Sequence, residues 1–418
     1  MHDHATDRAP DAVDDPRYRP VQRAFVRAHR DQDPGRVRLG RAPVGVDLRL
    51  AAEQIQAWQK LREKAPAWAN TDDLVLPPPR AIEQASSPLT AAYKAGLLAG
   101  PVLVDLSGGL GIDALAFAGR FPLVWHVEHD AGISRAFAWN APLLGVSNIR
   151  VLHGEAEAVV SALPTDAAVY VDPARRDSAD RRVEGFAASS PDMTTLLPAL
   201  LDRGHAILIK AAPMLDLVAA LRSLQHVRAA HVVSMGNVCR ELLFLCTPDA
   251  PDAAASEHVL DRVPITCVDL GDRRSAPPFV FCRAEERAAA LSYGAPCRYL
   301  YDAHAALRKA GAFRAIASAY GLTKLGPQSH LYTADRLVPE FPGRIFVLRA
   351  AVNGDPRAHL TENRANVISR NHPLSADALR ARYRLRDGGD DFVIGYRDAD
   401  DRPRVLVAER AHQAAAGV

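Results

Sequence analysis

Val102-Leu103-Val104-Asp105-Leu106-Ser107-Gly108-Gly109-Leu110-Gly111 is the stretch on which the reading of this chain turns. A continuous apolar run that ends on an acid is the pattern of a strand buried on both faces. Three glycines then fall within four positions, ahead of a helical run over Asp113–Arg120. Backbone without Cβ can bend sharply and let a ligand approach closely. The first turn of the helix leaves N–H groups without intrahelical partners. A second apolar run, Leu123–Glu128, ends on another acid, 23 residues beyond Asp105. An acid about 20 residues past a glycine turn is placed to accept ribose hydroxyls, so the turn predicts a nucleoside cofactor.

Outward from that turn, strands and helices alternate. Strands are expected at Ile149–His153, Ala167–Asp172 and His205–Lys210, with helices at Ser134–Leu144 and Leu217–Leu224. Val227–Met235 and Glu241–Thr247 read as an antiparallel pair around Asn237. Repeated β–α units predict an α/β fold with a Rossmann-like doubly wound sheet. Upstream, Leu50, Ile55, Trp58 and Leu61 recur at helical spacing. Residues 1–20 carry five Asp and three Pro and read as a mobile tail. The expected organisation is a helical region over 21–97, the sheet domain over 98–250 and a connector at 250–256. A connector with a small segment over 257–348 and a small α+β domain over 349–418 complete it. In that last part, Leu300–Tyr320 reads as helix, Arg344–Leu348 as a strand, Leu374–Leu385 as helix, and Phe392–Tyr396 with Pro403–Val407 as a hairpin.

Composition narrows the class. With 418 residues, more than one domain is expected. The net charge of +2 excludes a strongly basic field over the whole protein. Six lysines stand against 45 arginines, so arginine clusters carry little weight by themselves. Five cysteines with no CxxC pair point to reduced thiols in a cytoplasmic protein rather than to a disulfide or metal framework. No apolar run reaches the ~18 residues of a membrane span, and the polar start Met1-His2-Asp3-His4 has no apolar core of a secretory signal. The histidines and cysteines fit no zinc spacing, so no metal is expected.

The turn does not match G-x-G-x-x-G. Its Asp-x-Ser-x-Gly-x-Gly spacing resembles motif I of class I S-adenosylmethionine-dependent methyltransferases, with Ser107 in place of the first glycine. His153-Gly154-Glu155-Ala156 resembles the next motif of that family. Tyr170-Val171-Asp172-Pro173-Ala174-Arg175-Arg176 stands where these enzymes place an (Asp/Asn/Ser)-Pro-Pro-x motif.

The wider pattern resembles a bacterial family of such methyltransferases with a C-terminal THUMP-like domain, over nearly the whole chain after the tail. Its marks are Glu83–Ser87 with Thr90–Lys94, Asp105–Asp113, Asp172–Arg176, Ile209–Asp216, Ser329–Thr333, Phe341–Arg344 and Leu385–Asp390. The resemblance implies S-adenosylmethionine as cofactor, a ferredoxin-like segment over Tyr299–Val347, and RNA as the substrate class. The alternatives are a methyltransferase for a small molecule or protein, and a non-catalytic RNA-binding protein with a vestigial cofactor site.

On that footing Asp105 contacts the methionine end of the cofactor, Glu128 the ribose and Glu155 the adenine side, with Ser107, Gly109 and Gly111 forming the turn. Ser86 and Thr90 either close over the cofactor or, with Ser87, cap a helix. Asp172 and Pro173 form the catalytic strand end, where a carboxylate can orient a base and take its proton. Lys210, at the end of a buried strand, must be paired or face the cleft. Arg175 and Arg176 are candidates for substrate phosphate, in a loop where Arg181 and Arg182 alternate with acids. Ala174 replaces the second Pro and no aromatic follows, which leans away from exocyclic amines. No Cys follows strand five, which disfavours the carbon-5 pyrimidine mechanism.

Overall fold

The glycine turn sits where the order of a parallel sheet reverses. The computed structural model describes residues 15–175, 186, 189–252, 256–271 and 277–411. The first strands are β1 (Val102–Asp105), β2 (Leu123–Glu128), β3 (Ile149–His153) and β4 (Ala167–Val171). A short pair, β5 (Ala174–Arg175) and β6 (Ser189–Ser190), precedes β7 (Ala206–Ala211). Then follow β8 (Val227–Met235), β9 (Val238–Cys246), β10 (Ile265–Leu270) and β11 (Phe279–Phe281). The strand order of this nine-stranded sheet is β11-β10-β8-β9-β7-β4-β1-β2-β3. β1 pairs in parallel with β2 on one side and β4 on the other, so Asp105 lies opposite His126 and Tyr170. The chain runs outward from β1 to β3, then returns to β4 on the other flank. That reversal opens a crevice at the strands' carboxyl ends, where α/β folds bind ligands.

Short apolar sequences make these strands because both faces are covered. β4 is buried at every position, and Leu103 and Val104 of β1 are fully buried. The strand spans of β1, β2 and β3 are those expected. β8 and β9 are joined by Gly236 and Asn237 at φ 60° and 64°. Two successive residues with positive φ make the hairpin turn whose twist matches flanking strands.

Ahead of the sheet come helices α1 (Pro20–His29), α2 (Pro34–Arg38), α3 (Leu48–Lys64), α4 (Pro79–Gln84) and α5 (Pro88–Ala95). On α3, Ile55 and Leu61 are fully buried, as their spacing predicts, and Trp58 packs partly buried beside Leu61. After β1 and β2 come α6 (Ile112–Ala118) and α7 (Ala131–Leu143). The expected tail is shorter than 20 residues. Asp15 caps a turn over Pro16–Tyr18, and Tyr18 is buried edge-on against Trp139 at 5.4 Å. An aromatic with a partner to bury against outweighs the polar composition around it. Residues 1–14 lie outside the described residues.

The C-terminal part carries its own sheet, of β12 (Tyr299–Ala303), β13 (Thr323–Lys324), β14 (Tyr332–Ala334), β15 (Gly343–Val352), β16 (Asn366–Arg370), β17 (Asp391–Arg397) and β18 (Pro403–Arg410). Their order is β13-β14-β12-β15-β18-β17-β16. Leu300, Phe346, Ile394 and Leu406 meet as fully buried residues in its core. The expected hairpin of β17 and β18 is present.

Two further expectations are corrected. Leu300–Tyr320 is not one helix: Tyr299–Ala303 is β12, and the helices are Ala305–Ala310 and Arg314–Tyr320. The aromatic Tyr-Leu-Tyr run suits a strand, and each alanine-rich helix ends at a left-handed glycine, Gly311 (φ 77°) or Gly321 (φ 62°). The Ala250–Ser256 connector does not end the first sheet either. β10 pairs in parallel with β8 and β11 antiparallel with β10, adding two strands beyond it. Contacts group the described chain into two units. One comprises residues up to Ala211 with Ser223–His226 and Phe244–Ala250; the other comprises Ala212–Arg222, Val227–Leu243 and residues from Pro251 onward. Among the described residues no helix is long and apolar enough to cross a membrane.

Truncating the fully buried Phe346 tests the second core. Phe346→Ala is expected to cost about 3–5 kcal/mol, measured as a lowered denaturant midpoint of the C-terminal unit.

Candidate cofactor and active site

The glycines of the turn divide their labour. A Cβ on Gly108 would lie 2.8 Å from His126 Nε2 and from the Val127 carbonyl oxygen, and one on Gly111 would lie 2.0 Å from the Phe137 ring. These two let the turn pack against β2 and α7. Gly109 (φ 61°) has no such neighbour, and its N–H donates to Glu128 Oε2 at 2.7 Å. Glu128 Oε1 accepts from the Asp130 N–H at 2.7 Å and lies 3.0 Å from His129 Nδ1. The carboxylate is thereby fixed at the end of β2 with further lone pairs available.

A serine hydroxyl ties the ends of β1 and β4 together. Asp105 Oδ1 accepts from the Ser107 N–H and from Ser107 Oγ, each at 3.0 Å. Ser107 Oγ in turn accepts from the Asp172 N–H at 2.7 Å. Glycine at position 107 could make neither side-chain bond. The departure from the motif is thus a connection between two strand ends. Burial, with Asp113 nearby, pushes the Asp105 carboxyl well above its ordinary 3.8. Burial also drives His126, 4.0 Å from Asp105 Oδ2, down to about 3. Its two ring nitrogens have no hydrogen-bond partner among the described residues.

At the end of β4, the carboxylate of Asp172 makes an ion pair through Oδ2 with Lys210 Nζ. Lys210 is therefore paired, the condition its buried strand imposed. A cavity of about 280 Å³ opens here, lined by Leu106, Ser107, Glu128, Gly154, Glu155 and Asp172 among others. Residues expected from three separate motifs thus share one wall. Gly154 (φ 158°) leaves open space where a Cβ would stand. Arg175 belongs to β5, paired with β6, while Arg176, Arg181 and Arg182 lie outside the described residues.

Ser86 and Thr90 are not among the lining residues. Ser87 caps α5 by accepting from the Thr90 N–H, and the Thr90 hydroxyl donates to the Ser87 carbonyl at 3.1 Å. Ser86 Oγ donates to Asp113 Oδ2 at 2.7 Å and accepts from Lys94 Nζ at 2.8 Å. Lys94 is wholly buried, 3.1 Å from Asp113 Oδ1, and Tyr170 OH donates to Asp113 Oδ2 at 3.0 Å. Burial works to raise the Asp113 carboxyl, but the charges of Lys94 and Lys210 and the bonds from Ser86 and Lys94 outweigh it and hold it low. This network pins the first turn of α6 to α5. Sequence reasoning missed it: a lysine in an alanine-rich helix reads as solvated, and only a scarcity of lysine hinted otherwise. Among the described residues no group of three or more His, Cys, Asp or Glu could hold a metal ion.

Known proteins share this architecture. A solved structure from Porphyromonas gingivalis W83, described as a methyltransferase, superposes with a TM-score of 0.84 at 32% identity, covering 94% of this chain and 98% of that one. Two uncharacterised S-adenosylmethionine-dependent methyltransferases from strains of Mycobacterium tuberculosis are 28% identical over 367 residues, 84% of this chain and 92% of theirs. Family models match a ferredoxin-like domain over residues 299–342 and a THUMP domain-like region over 343–410.

Two substitutions test the electrostatics. Lys94→Met strands the Asp113 carboxylate in the interior and is expected to cost about 3–5 kcal/mol of stability, read by denaturant unfolding. Asp105→Asn keeps an oxygen for both Ser107 bonds and is expected to stabilise the protein at neutral pH. The wild-type carboxyl is raised on folding, so above the ordinary 3.8 the unfolded chain releases its proton first and stability falls as pH rises. The gap between Asp105→Asn and wild type should therefore open from pH ~4 toward neutrality; melting temperatures that track each other across that range would refute it.

Proposed function

The chain belongs to the family of S-adenosylmethionine-dependent methyltransferases that carry a C-terminal THUMP-like domain, and we propose that it methylates a base in structured RNA, ribosomal or transfer. The observation that carries this reading is the Asp172-Pro173 strand end, held by its N–H on Ser107, in one chain with a THUMP-like match over residues 343–410.

The groups at the cavity suit the cofactor. Glu128 offers fixed acceptor oxygens for ribose hydroxyls, Gly109 and Gly154 leave room for close approach, and Glu155, which lines the cavity, is the residue we assign to the adenine side. Asp105 is only 1% exposed, so its part is to orient Ser107, which lines the cavity. Ser86 and Thr90 support α5 and α6 rather than the ligand. When bound, the cofactor supplies an electrophilic methyl group on a sulfonium sulfur.

Asp172 then faces the substrate. Its Oδ2 is taken by Lys210, which leaves Oδ1 to accept a hydrogen bond from the base and remove the proton as the nitrogen is alkylated. Lys210 holds the carboxylate in that orientation. Pro173 stiffens the strand end, and Arg175 and Arg176 provide cations for nearby phosphate. Ala174, with no aromatic after it, favours a ring nitrogen over an exocyclic amine. We expect the protein to act in the cytoplasm, where its RNA substrates are.

Labelled cofactor, given with RNA or total protein from a strain lacking the gene, tests the proposal. Label is expected in a single modified nucleoside; label confined to protein or small molecules would refute RNA as the substrate. Asp172→Asn should lower transfer by about 10²–10⁴-fold while calorimetry shows cofactor affinity intact. Glu128→Ala should lose cofactor binding itself.

A further inference from the structure

The C-terminal unit gathers three arginines around one buried carboxylate. Asp302, on β12, is only 1% exposed. Three arginines converge on its carboxylate. Arg344, its register partner on β15, donates through Nε and Nη2 to Oδ2 at 3.0 and 2.5 Å. Arg370, at the end of β16, donates Nε to Oδ1 at 2.6 Å and Nη2 to Oδ2 at 2.8 Å. Arg308 brings Nη1 to 3.6 Å from Oδ1 and donates Nη2 to Asn237 Oδ1 at 3.2 Å.

Three guanidiniums share this one carboxylate, and Asp269 adds a second negative charge that acts on Arg308, so the cations still outnumber the acids. The acids nearby are held by neutral donors. Asp269 accepts from Ser234 Oγ at 2.6 Å and from the Asn237 N–H at 3.2 Å. Glu286 accepts from the N–H groups of Phe313, Arg314 and Ala315. The crowding of cations is felt locally. Arg308 is lowered to about 10 by burial and by Arg370 and Arg344, against the pull of Asp302 and Asp269. His330 is lowered to about 4 by burial and then by Lys324, Arg308 and Arg370. Yet the guanidiniums are not sealed: Arg370, Arg308 and Arg344 keep 17%, 21% and 26% of their side chains exposed. Arg344 Nη1 makes no hydrogen bond among the described residues. Like charges held together, partly desolvated and open on one side, are stabilised by an incoming anion. Planar N–H forks suit the oxygens of a phosphate group.

We propose that Arg344, Arg370 and Arg308, oriented by Asp302, form a phosphate-binding site that takes a phosphodiester of the RNA substrate. The site rests on the RNA reading above for the source of the phosphate, but not for its chemistry. Asp302 is a positioning residue: it holds Arg370, whose Nη1 also donates to the Ser369 carbonyl at 3.0 Å, and Arg308, whose Nη1 donates to the Ala303 carbonyl, and it leaves Arg344 Nη1 as the N–H group that faces the ligand.

The test uses the full chain with two ligands, a fluorescein-labelled RNA hairpin followed by anisotropy at graded salt and inorganic phosphate followed by ³¹P line broadening. Arg344→Gln removes the most exposed guanidinium while Asp302 keeps Arg370 and Arg308. It should weaken RNA binding about tenfold and reduce the slope of log K against log salt by about one. It should also reduce the broadening of phosphate, with cofactor affinity unchanged. Arg344→Lys, which keeps the charge, should recover part of the RNA affinity, and it serves as the test should the Gln variant fold poorly. Wild-type affinity and slope in Arg344→Gln, with undiminished phosphate broadening, would make the cluster an ion-pair tie of the sheet and overturn the proposal. Phosphate binding that depends on Arg344 in a protein with no affinity for RNA would uphold the site and sink the RNA reading instead.

Discussion

The hydroxyl of Ser107 is the link on which the active crevice depends. It donates to the buried carboxylate of Asp105 and accepts from the N–H of Asp172, and so couples the ends of two adjacent parallel strands. Between these ends the backbone ladder makes its last bond from the Leu106 N–H to the Tyr170 carbonyl at 2.9 Å. One residue beyond, a side chain with one donor and lone pairs to spare extends the connection where glycine cannot. The position of the Asp172 carboxylate relative to the glycine turn follows from it, and Lys210 then settles which carboxylate oxygen faces outward.

This arrangement is held at a cost that the surrounding packing absorbs. Asp105 and His126 are both buried, with the carboxyl pushed up and the imidazole driven to about 3. Neighbouring Asp113 is the opposite case, kept ionised by Lys94 and by hydroxyl donors from Ser86 and Tyr170. Two acids eight residues apart thus behave differently because one has a buried cation and the other does not. The destabilised acid points to the cofactor turn, and the satisfied one anchors the helix that follows it.

The C-terminal unit repeats this contrast on a larger scale. Asp302 gathers three arginines where Asp113 has one lysine beside it. In the first network a wholly buried lysine meets a carboxylate; in the second three guanidiniums crowd one carboxylate and remain partly open. A paired buried network stiffens a fold, whereas a crowded and accessible one is poised for an anion.

What the sequence by itself determined is what depends on neighbours along the chain. Apolar runs closed by acids placed β1 and β2, alternation predicted the parallel sheet, and motif spacing identified the cofactor class and gathered Ser107, Glu128, Glu155 and Asp172 as candidates. What only the tertiary structure decided is whatever depends on partners far apart in sequence. The span from Leu300 read as helix until β14 and β15 gave Tyr299–Ala303 edges to pair with. β10 was unreadable without β8 beside it. Ser86 and Thr90, read either as cofactor contacts or as helix-capping residues, bond to Asp113 and within the α5 cap. The pairing of Lys94 with Asp113, and of Arg344 and Arg370 with Asp302, had no signal along the chain. Burial and pairing are long-range properties, so a charged side chain's meaning is written in its neighbours in space.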